Sequence, residues 1–284
     1  MNSFPIVDTH VHLWHPEHLR YPWLDEVPAI RKPHLLDDFR AACGDASVES
    51  FVFVECDVHP DERVREAEWV ASLAKQEPRI KGIVASAPLE DGEGARAVLE
   101  DLAGNPLVKG IRRLIQAESL DFCLQPGFIR GVQLLNEYGL SFDICIVDSQ
   151  LANVIEFVKQ CPNNQFMLDH IGKPNIKNDV FQPWAREIEM LSQFPNVFCK
   201  VSGVATSADF ERWKPADLKP YINHVIGCFG FDRVAYGGDW PVSTQAIGYS
   251  QWVETLVWAV DGCSKDEMKK LFRENAMRFY RLGE

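Results

Sequence analysis

The sequence predicts a single-domain (β/α)8 barrel of the α/β class. Eight short runs rich in β-branched and apolar residues recur along 284 residues, a length typical of one such barrel. Segments with helical periodicity separate them, and strands that alternate with helices form parallel βαβ units. The predicted strands cover residues 6–14, 50–56, 80–89, 108–115, 140–147, 165–171, 197–201 and 233–236.

The intervening segments define the rest of the predicted domain, 1–284. Apolar stripes predict helices over 62–75 and 151–161 and a final helix over 265–281. Residues 15–34 contain four prolines, which is too many for a helix, so we expect a long loop over the top of the first strand. This loop is a candidate lid over a site.

Composition restricts the partners. The formal net charge is −12 without a Lys/Arg tract, which argues against nucleic acid and anionic membranes and favours a small neutral or weakly charged substrate. The first residues show no targeting signal, and no run of about 18 apolar residues occurs. Eight scattered cysteines without CxxC pairs indicate reduced thiols. We expect a cytoplasmic protein that could form a homo-oligomer.

The first strand carries a candidate metal-binding pair. Asp8, His10 and His12 are spaced by two residues, so a regular strand places all three on one face. Two such imidazoles can bind one ion. An isolated HxH also arises by chance, but this one ends the first barrel strand, and strand ends of this kind face the active-site mouth.

Two further strand ends offer ligands. His170 lies at the end of the sixth run, where it gives way to a Gly/Pro loop, and Asp239 follows the eighth run. Together with His10 and His12 they form an N/O ligand set that suits zinc and leaves room for a water. Asp239 is the preferred general base for that water. His170 could be a ligand or could polarise the substrate carbonyl.

Other residues are candidate substrate contacts. Arg112 near a strand end could hold hydroxyls or a carboxylate, or form an exterior salt bridge. Lys200 could reach the substrate ring, with a surface lysine as the alternative. Glu55 could bind hydroxyls or pair with a cation. Trp240 could pack against the apolar face of a sugar ring or against other barrel residues. His34 could reach the site from the loop.

The motifs that carry these residues resemble the amidohydrolase superfamily over essentially the whole chain. They are similar in particular to its sugar-lactone lactonases, which include L-fuconolactone, L-rhamnonolactone and 2-pyrone-4,6-dicarboxylate hydrolases. The matching runs are VDTHVHLW (7–14), YPWL (21–24), KGIR (109–112), DHIGKP (169–174), KVSG (200–203), GGDWP (237–241) and NAMRFY (275–280).

The chain departs from the two-metal pattern of that superfamily, because the fourth strand has no bridging lysine and the fifth has no histidine. One zinc or other divalent ion at most is therefore expected. The resemblance also implies that the ion could be dispensable, since lactonases of this branch can act without one.

The predicted reaction is hydrolysis of an L-fucono- or L-rhamnono-type lactone to the aldonic acid. Asp239 would activate water, and His170, Arg112 or Lys200 would stabilise the oxyanion. One alternative is a zinc-dependent decarboxylase of the same superfamily. The other is a barrel that binds a sugar or metal without catalysis.

Overall fold

Eight parallel strands form one sheet in which each strand pairs with the next along the chain, β1 through β8. The computed structural model describes residues 4–283. The strands are β1 Ile6–Val11, β2 Val48–Val54, β3 Ile80–Ser86, β4 Val108–Arg112, β5 Ser141–Ile144, β6 Phe166–Leu168, β7 Val197–Val201 and β8 Val234–Tyr236.

The sheet closes on itself just beyond β8. The Asp239 amide donates to the His10 carbonyl at 2.8 Å, and the His12 amide donates to the Trp240 carbonyl at 2.8 Å. These bonds join the ends of the first and last strands. The predicted (β/α)8 barrel is therefore confirmed.

Helices cover the outside of the barrel between successive strands. They are α1 Leu36–Cys43, α2 Arg63–Ala74, α3 Arg96–Ala103, α4 Pro126–Leu134, α5 Leu151–Gln160, α6 Trp184–Ser192, α7 Pro215–Phe229 and α8 Tyr249–Ala259. After α8 the chain forms α9 Lys265–Lys269, a π-helical turn Lys270–Glu274 and α10 Asn275–Phe279. The predicted final helix is thus interrupted by one wide turn. Among residues 4–283, no helix combines the length and apolar character needed to cross a bilayer.

The end of the chain plugs one end of the barrel. Phe279 and Tyr280 belong to the same buried apolar cluster as Val7, Val52 and Phe198 of the strands. The Phe279 and Phe198 rings lie 5.0 Å apart. Because the described residues fill this end, the barrel opens at the carboxyl ends of its strands, the usual side for an active site.

The proline-rich segment 15–34 is an ordered loop fixed against the barrel. Its short 3-10 turns, Pro22–Glu26 and Pro28–Ile30, contribute buried Leu24 and Ile30 to the core. The Trp23 indole donates to the Cys56 carbonyl at 2.7 Å, so the loop is tied to the end of β2. This attachment holds the Trp23 side chain above the barrel opening.

Close packing of α4 explains one helical glycine. A Cβ at Gly131 would collide with the Leu89 carbonyl, so Gly131→Ala should destabilise the fold by about 1–3 kcal/mol through overpacking. Gly227 lies inside α7 with open space around it, and Gly227→Ala should stabilise the fold by about 0.5–1 kcal/mol. The urea unfolding midpoints of the two variants test this expectation. Equal shifts in both variants would contradict the packing argument.

Candidate active site

A cavity of about 200 Å³ opens at the carboxyl ends of the strands. Its walls combine imidazole, carboxylate and cationic groups with aromatic and aliphatic side chains, as small-molecule sites commonly do. The lining residues are His12, Trp14, Trp23, Cys56, Asp57, Arg112, Leu114, Gln116, Cys145, His170, Lys173, Thr206, Asp239 and Val242.

Three imidazoles surround one carboxylate at the base of this cavity. The Nε2 atoms of His10 and His12 are 3.1 Å apart and lie 3.7 and 3.6 Å from Oδ1 of Asp239. Nε2 of His170 lies 4.0 Å from the same oxygen. Tetrahedral zinc, bound at about 2.0–2.1 Å by nitrogen, separates its ligand atoms by about 3.3 Å. The four side chains therefore fit one divalent ion with small movements.

A second group of side chains could also hold a metal ion; it consists of Cys145, Asp169 and His170. It shares His170 with the first group. Its carboxylate, Asp169, already lies 2.9 Å from the Lys200 ammonium and 3.3 Å from the Arg112 guanidinium. Two cations on that carboxylate disfavour a metal ion there, so the set with Asp239 is the better candidate.

Two of the imidazoles are oriented by hydrogen bonds at Nδ1. Nδ1 of His12 lies 2.8 Å from the Val54 carbonyl, which makes it the donor and leaves Nε2 unprotonated in the neutral ring. Nδ1 of His170 lies 2.9 Å from Oγ of Ser202. Contacts of this kind direct Nε2 of a histidine towards a metal.

His10 is oriented by charged groups instead. Its Nδ1 lies 3.5 Å from Oδ1 of Asp169 and 3.3 Å from Nζ of Lys200. Asp169 and Ser202 were not among the predicted site residues. Asp169 adjoins His170 and Ser202 lies two residues after Lys200, so their positions beside candidate residues were the only available signal.

The strand ends that carry His170 and Asp239 adopt an unusual backbone conformation. His170, Ile171 and Lys173 have φ values of 54°, 50° and 48°, and Asp239 has a φ of 54°. For a β-branched residue such as Ile171 this left-handed region is a genuine outlier, and strain of about 1–3 kcal/mol per residue persists mainly at functional sites. The turns aim both side chains into the cavity.

Gly203 makes room for His170. It has a φ of 58°, and a Cβ at this position would lie 2.5 Å from Nδ1 of His170. Any larger side chain would displace the imidazole and its bond to Ser202. The glycine after Ser202 is therefore required by both backbone conformation and space.

Burial and neighbouring charges set the protonation states. Burial lowers the pKa of His170 to about 4, and burial with the Lys200 charge lowers the pKa of His10 well below its usual value. Burial would raise the pKa of Asp239, but His170, His12 and His10 outweigh it and lower this pKa. At neutral pH His10 and His170 are therefore neutral and Asp239 is ionised, which are the states that bind divalent ions.

Asp8 does not share the face of the two histidines, contrary to the alternation expected for a regular strand. The β1–β2 pairing shifts register between Asp8 and Val11, so the simple two-residue period fails. Asp8 instead accepts from the Tyr249 hydroxyl of α8 at 2.7 Å and from the amides of His10 and Gly238 at 2.8 Å. It faces outward and joins the ends of β1 and β8.

Arg112 and Glu55 form a buried ion pair, but only Arg112 lines the cavity. Arg112 Nε donates to Oε1 of Glu55 at 2.6 Å, and its Nη2 donates to the Glu55 carbonyl at 2.5 Å. Arg112 lines the cavity, with Nη1 3.3 Å from Nε2 of His10. Glu55 does not line it, because its other oxygen accepts the Asp57 amide at 2.8 Å. The cation-pairing alternative for Glu55 is the observed one.

Lys200 lies beneath the cavity and is not among its lining residues, so its position does not support the predicted contact with substrate. Its ammonium donates to Asp143 at 2.6 Å and lies 2.9 Å from Asp169, and the side chain is fully buried. Burial opposes its charge, but the two carboxylates raise the pKa of Lys200 above its usual value. The surface alternative is excluded, and the lysine supports His10 from below.

Trp240 and His34 pack behind the cavity, which for Trp240 is the packing alternative of its prediction. Both are buried, and their rings pack edge-to-face with centroids 5.5 Å apart. Neither lines the cavity, because His34 pairs with Trp14 in a short antiparallel bridge and fills the space behind it. The aromatic wall consists of Trp14 and Trp23 instead.

Comparison with known proteins places the chain in a family. It matches the Amidohydrolase family over residues 7–282. It is 28% identical to an L-fucono-1,5-lactonase of Burkholderia multivorans, over 98% of this chain and 96% of the relative. An L-rhamnono-gamma-lactonase of Scheffersomyces stipitis is 24% identical, over 99% of this chain and 100% of the relative.

A solved structure agrees with this assignment. An amidohydrolase from Burkholderia multivorans with bound zinc superposes with a TM-score of 0.88 at 26% identity, over 99% of this chain and 100% of that chain. The family match extends over nearly the whole barrel, including all four side chains gathered at the cavity base. The chain therefore belongs to the amidohydrolase family.

Proposed function

We propose that this protein is a lactonase that opens an uncharged sugar-acid lactone of the L-fucono or L-rhamnono type to the aldonic acid. The observation that carries the proposal is the ionised Asp239 carboxylate within 4.0 Å of three imidazoles at the base of a cavity. Relatives named as lactonases, with whom this chain aligns along its length, support the reaction class.

We also propose that the same side chains bind one divalent ion. The zinc bound in a solved relative supports zinc as that ion. His10, His12, His170 and Asp239 would hold it. A bound zinc would supply Lewis acidity and bring the pKa of a coordinated water towards 7. His170 also lines the cavity, so its alternative role beside the substrate carbonyl remains compatible with its position.

The chain's own groups account for the proton transfers. Asp239 accepts a proton from the attacking water, and the carbonyl carbon gains the new C–O bond. Charge develops on the carbonyl oxygen, where Arg112 or His170 stabilises it, since both line the cavity. When the ring C–O bond breaks, the proton held by Asp239 passes to the leaving oxygen. The products are the hydroxy acid and a regenerated carboxylate.

A panel of aldonolactones, followed by proton release, tests the proposal. We expect turnover of at least one uncharged lactone, and no turnover on any member would refute it. Metal content and activity should be measured together, before and after chelation and zinc addition. Gas release without acid from carboxylated unsaturated acids would instead favour the decarboxylase alternative.

A further inference from the structure

Two charged residues for which the sequence predicted no role line the cavity from opposite sides of the barrel. Asp57 follows β2, and Lys173 follows β6. Both have left-handed backbones, with φ of 52° and 48°, which non-glycine residues rarely adopt. We propose that Asp57 and Lys173 determine substrate specificity by selecting an uncharged, polyhydroxylated lactone over one that bears a carboxylate. This inference rests on the proposed lactonase function.

Asp57 is anchored to the buried base of the site. Its amide donates to Oε2 of Glu55 at 2.8 Å, and the other Glu55 oxygen is held by Arg112 at 2.6 Å. These bonds fix the backbone while the side chain remains exposed at the cavity. Within residues 4–283, the Asp57 carboxylate has no cationic partner within 4.0 Å, so it is available to accept from substrate hydroxyls.

Lys173 is anchored in the same way on the other side. Its amide donates to the His170 carbonyl at 2.9 Å, which ties its position to the turn that carries a candidate ligand. Its ammonium donates to Oε1 of Gln116, another lining residue. No carboxylate of the described chain lies within 4.0 Å of the ammonium, which can therefore donate to a ligand oxygen.

The charge pattern of the cavity then favours a neutral ligand. Asp57 and Asp239 are negative, Lys173 is positive, and the charge of Arg112 is balanced by Glu55 behind it. A hydroxylated ring satisfies Asp57 as donor and Lys173 as acceptor. A ligand carboxylate could bind Lys173 but would be repelled by Asp57 in the same cavity, a form of selection against the wrong substrate.

The alternative is that both residues are ordinary solvated charges on loops. Two features argue against this. Each occupies a strained backbone conformation, and each is attached by its amide to the residues that build the site, Glu55 and His170. Strain kept at a cavity and supported by the surrounding structure is typical of functional positions.

The test uses Asp57→Asn and Lys173→Asn, because asparagine tolerates the left-handed conformation better than most residues. For an uncharged aldonolactone, each change should raise KM by about tenfold with kcat nearly unchanged, the loss expected for one charged hydrogen bond. Asp57→Asn should also increase kcat/KM for a carboxylated lactone relative to the uncharged one by about tenfold. Asp61→Asn, an exposed neighbour outside the cavity, is the matched control.

The outcomes separate the two proposals. If the wild-type protein hydrolyses uncharged lactones and both variants keep its KM and its preference, the specificity role is overturned while the lactonase function stands. A wild-type preference for carboxylated lactones would also overturn the specificity role, and with it the uncharged substrate, while the lactonase reaction itself would stand. Absence of any lactone turnover in the wild-type protein refutes the function and this inference together. Unchanged circular dichroism of the variants excludes misfolding as the cause of a raised KM.

Discussion

Asp239→Asn should lower kcat on the preferred lactone by about 10²–10⁴-fold, the contribution usual for a positioned general base. Asparagine keeps the size of the side chain and accommodates the φ of 54°. It cannot accept the proton of water, and it removes the charge that His10, His12 and His170 surround. Steady-state kinetics with proton release measure the loss.

The same variant distinguishes an enzyme from a binding protein. A barrel that only binds a sugar would keep its affinity for the ligand and would have no turnover to lose. Asp261→Asn, an exposed change in the turn after α8, controls for a general effect of removing one negative charge. If Asp239→Asn retained kcat within about threefold, Asp239 could not be the base that the mechanism requires.

The sequence pattern predicted the architecture, because the strands are buried on both faces and read as short apolar runs, whereas the helices between them bury one face. The ends of the strands were less predictable. The sixth apolar run extends to residue 171, yet β6 ends at Leu168, since the next residues turn into the left-handed region. Only the packing of the complete barrel supports such a turn, so local sequence carries no sign of it.

The candidate metal ligands could be predicted because they lie at strand ends. The ion pairs between residues of different strands could not be predicted. Glu55 and Lys200 are ionisable residues within predicted apolar strands, which indicates burial with a partner. The partners, Arg112, Asp143 and Asp169, lie on other strands. Which ion pairs form depends on how the strands are arranged around the barrel, and so the sequence could not separate substrate contact from internal pairing.

The buried charges beneath the cavity lead to the second large effect. Lys200→Met should destabilise the fold by about 3–5 kcal/mol, the cost of breaking a buried ion pair by removing one partner. Asp143 would keep the Tyr280 hydroxyl at 2.6 Å, and Asp169 would keep Arg112 at 3.3 Å. Neither contact replaces the ammonium that lies between these two carboxylates. Urea unfolding at neutral pH measures the loss.

The destabilisation should depend on pH. Burial would raise the pKa of Asp169, but Lys200 and His10 lower it well below its usual value, so its stabilising contribution is present above the unfolded pKa of about 4. Burial raises the pKa of Asp143 to about 6 even with Lys200 present. Without Lys200, burial would raise the pKa of Asp169 as well, so both carboxylates would take up protons as the pH falls from neutral. The difference in unfolding free energy between wild type and Lys200→Met should therefore be largest at neutral pH and shrink towards pH 4.

Two further variants isolate the cause. Lys269→Met removes an exposed lysine whose partner is Asp266, and it should change stability by less than about 0.5 kcal/mol. Adding Asp143→Asn to Lys200→Met removes one of the two carboxylates left uncompensated, and it should recover part of the lost stability. If the double variant were no more stable than Lys200→Met, the loss would come from packing around the lysine stem rather than from buried charge.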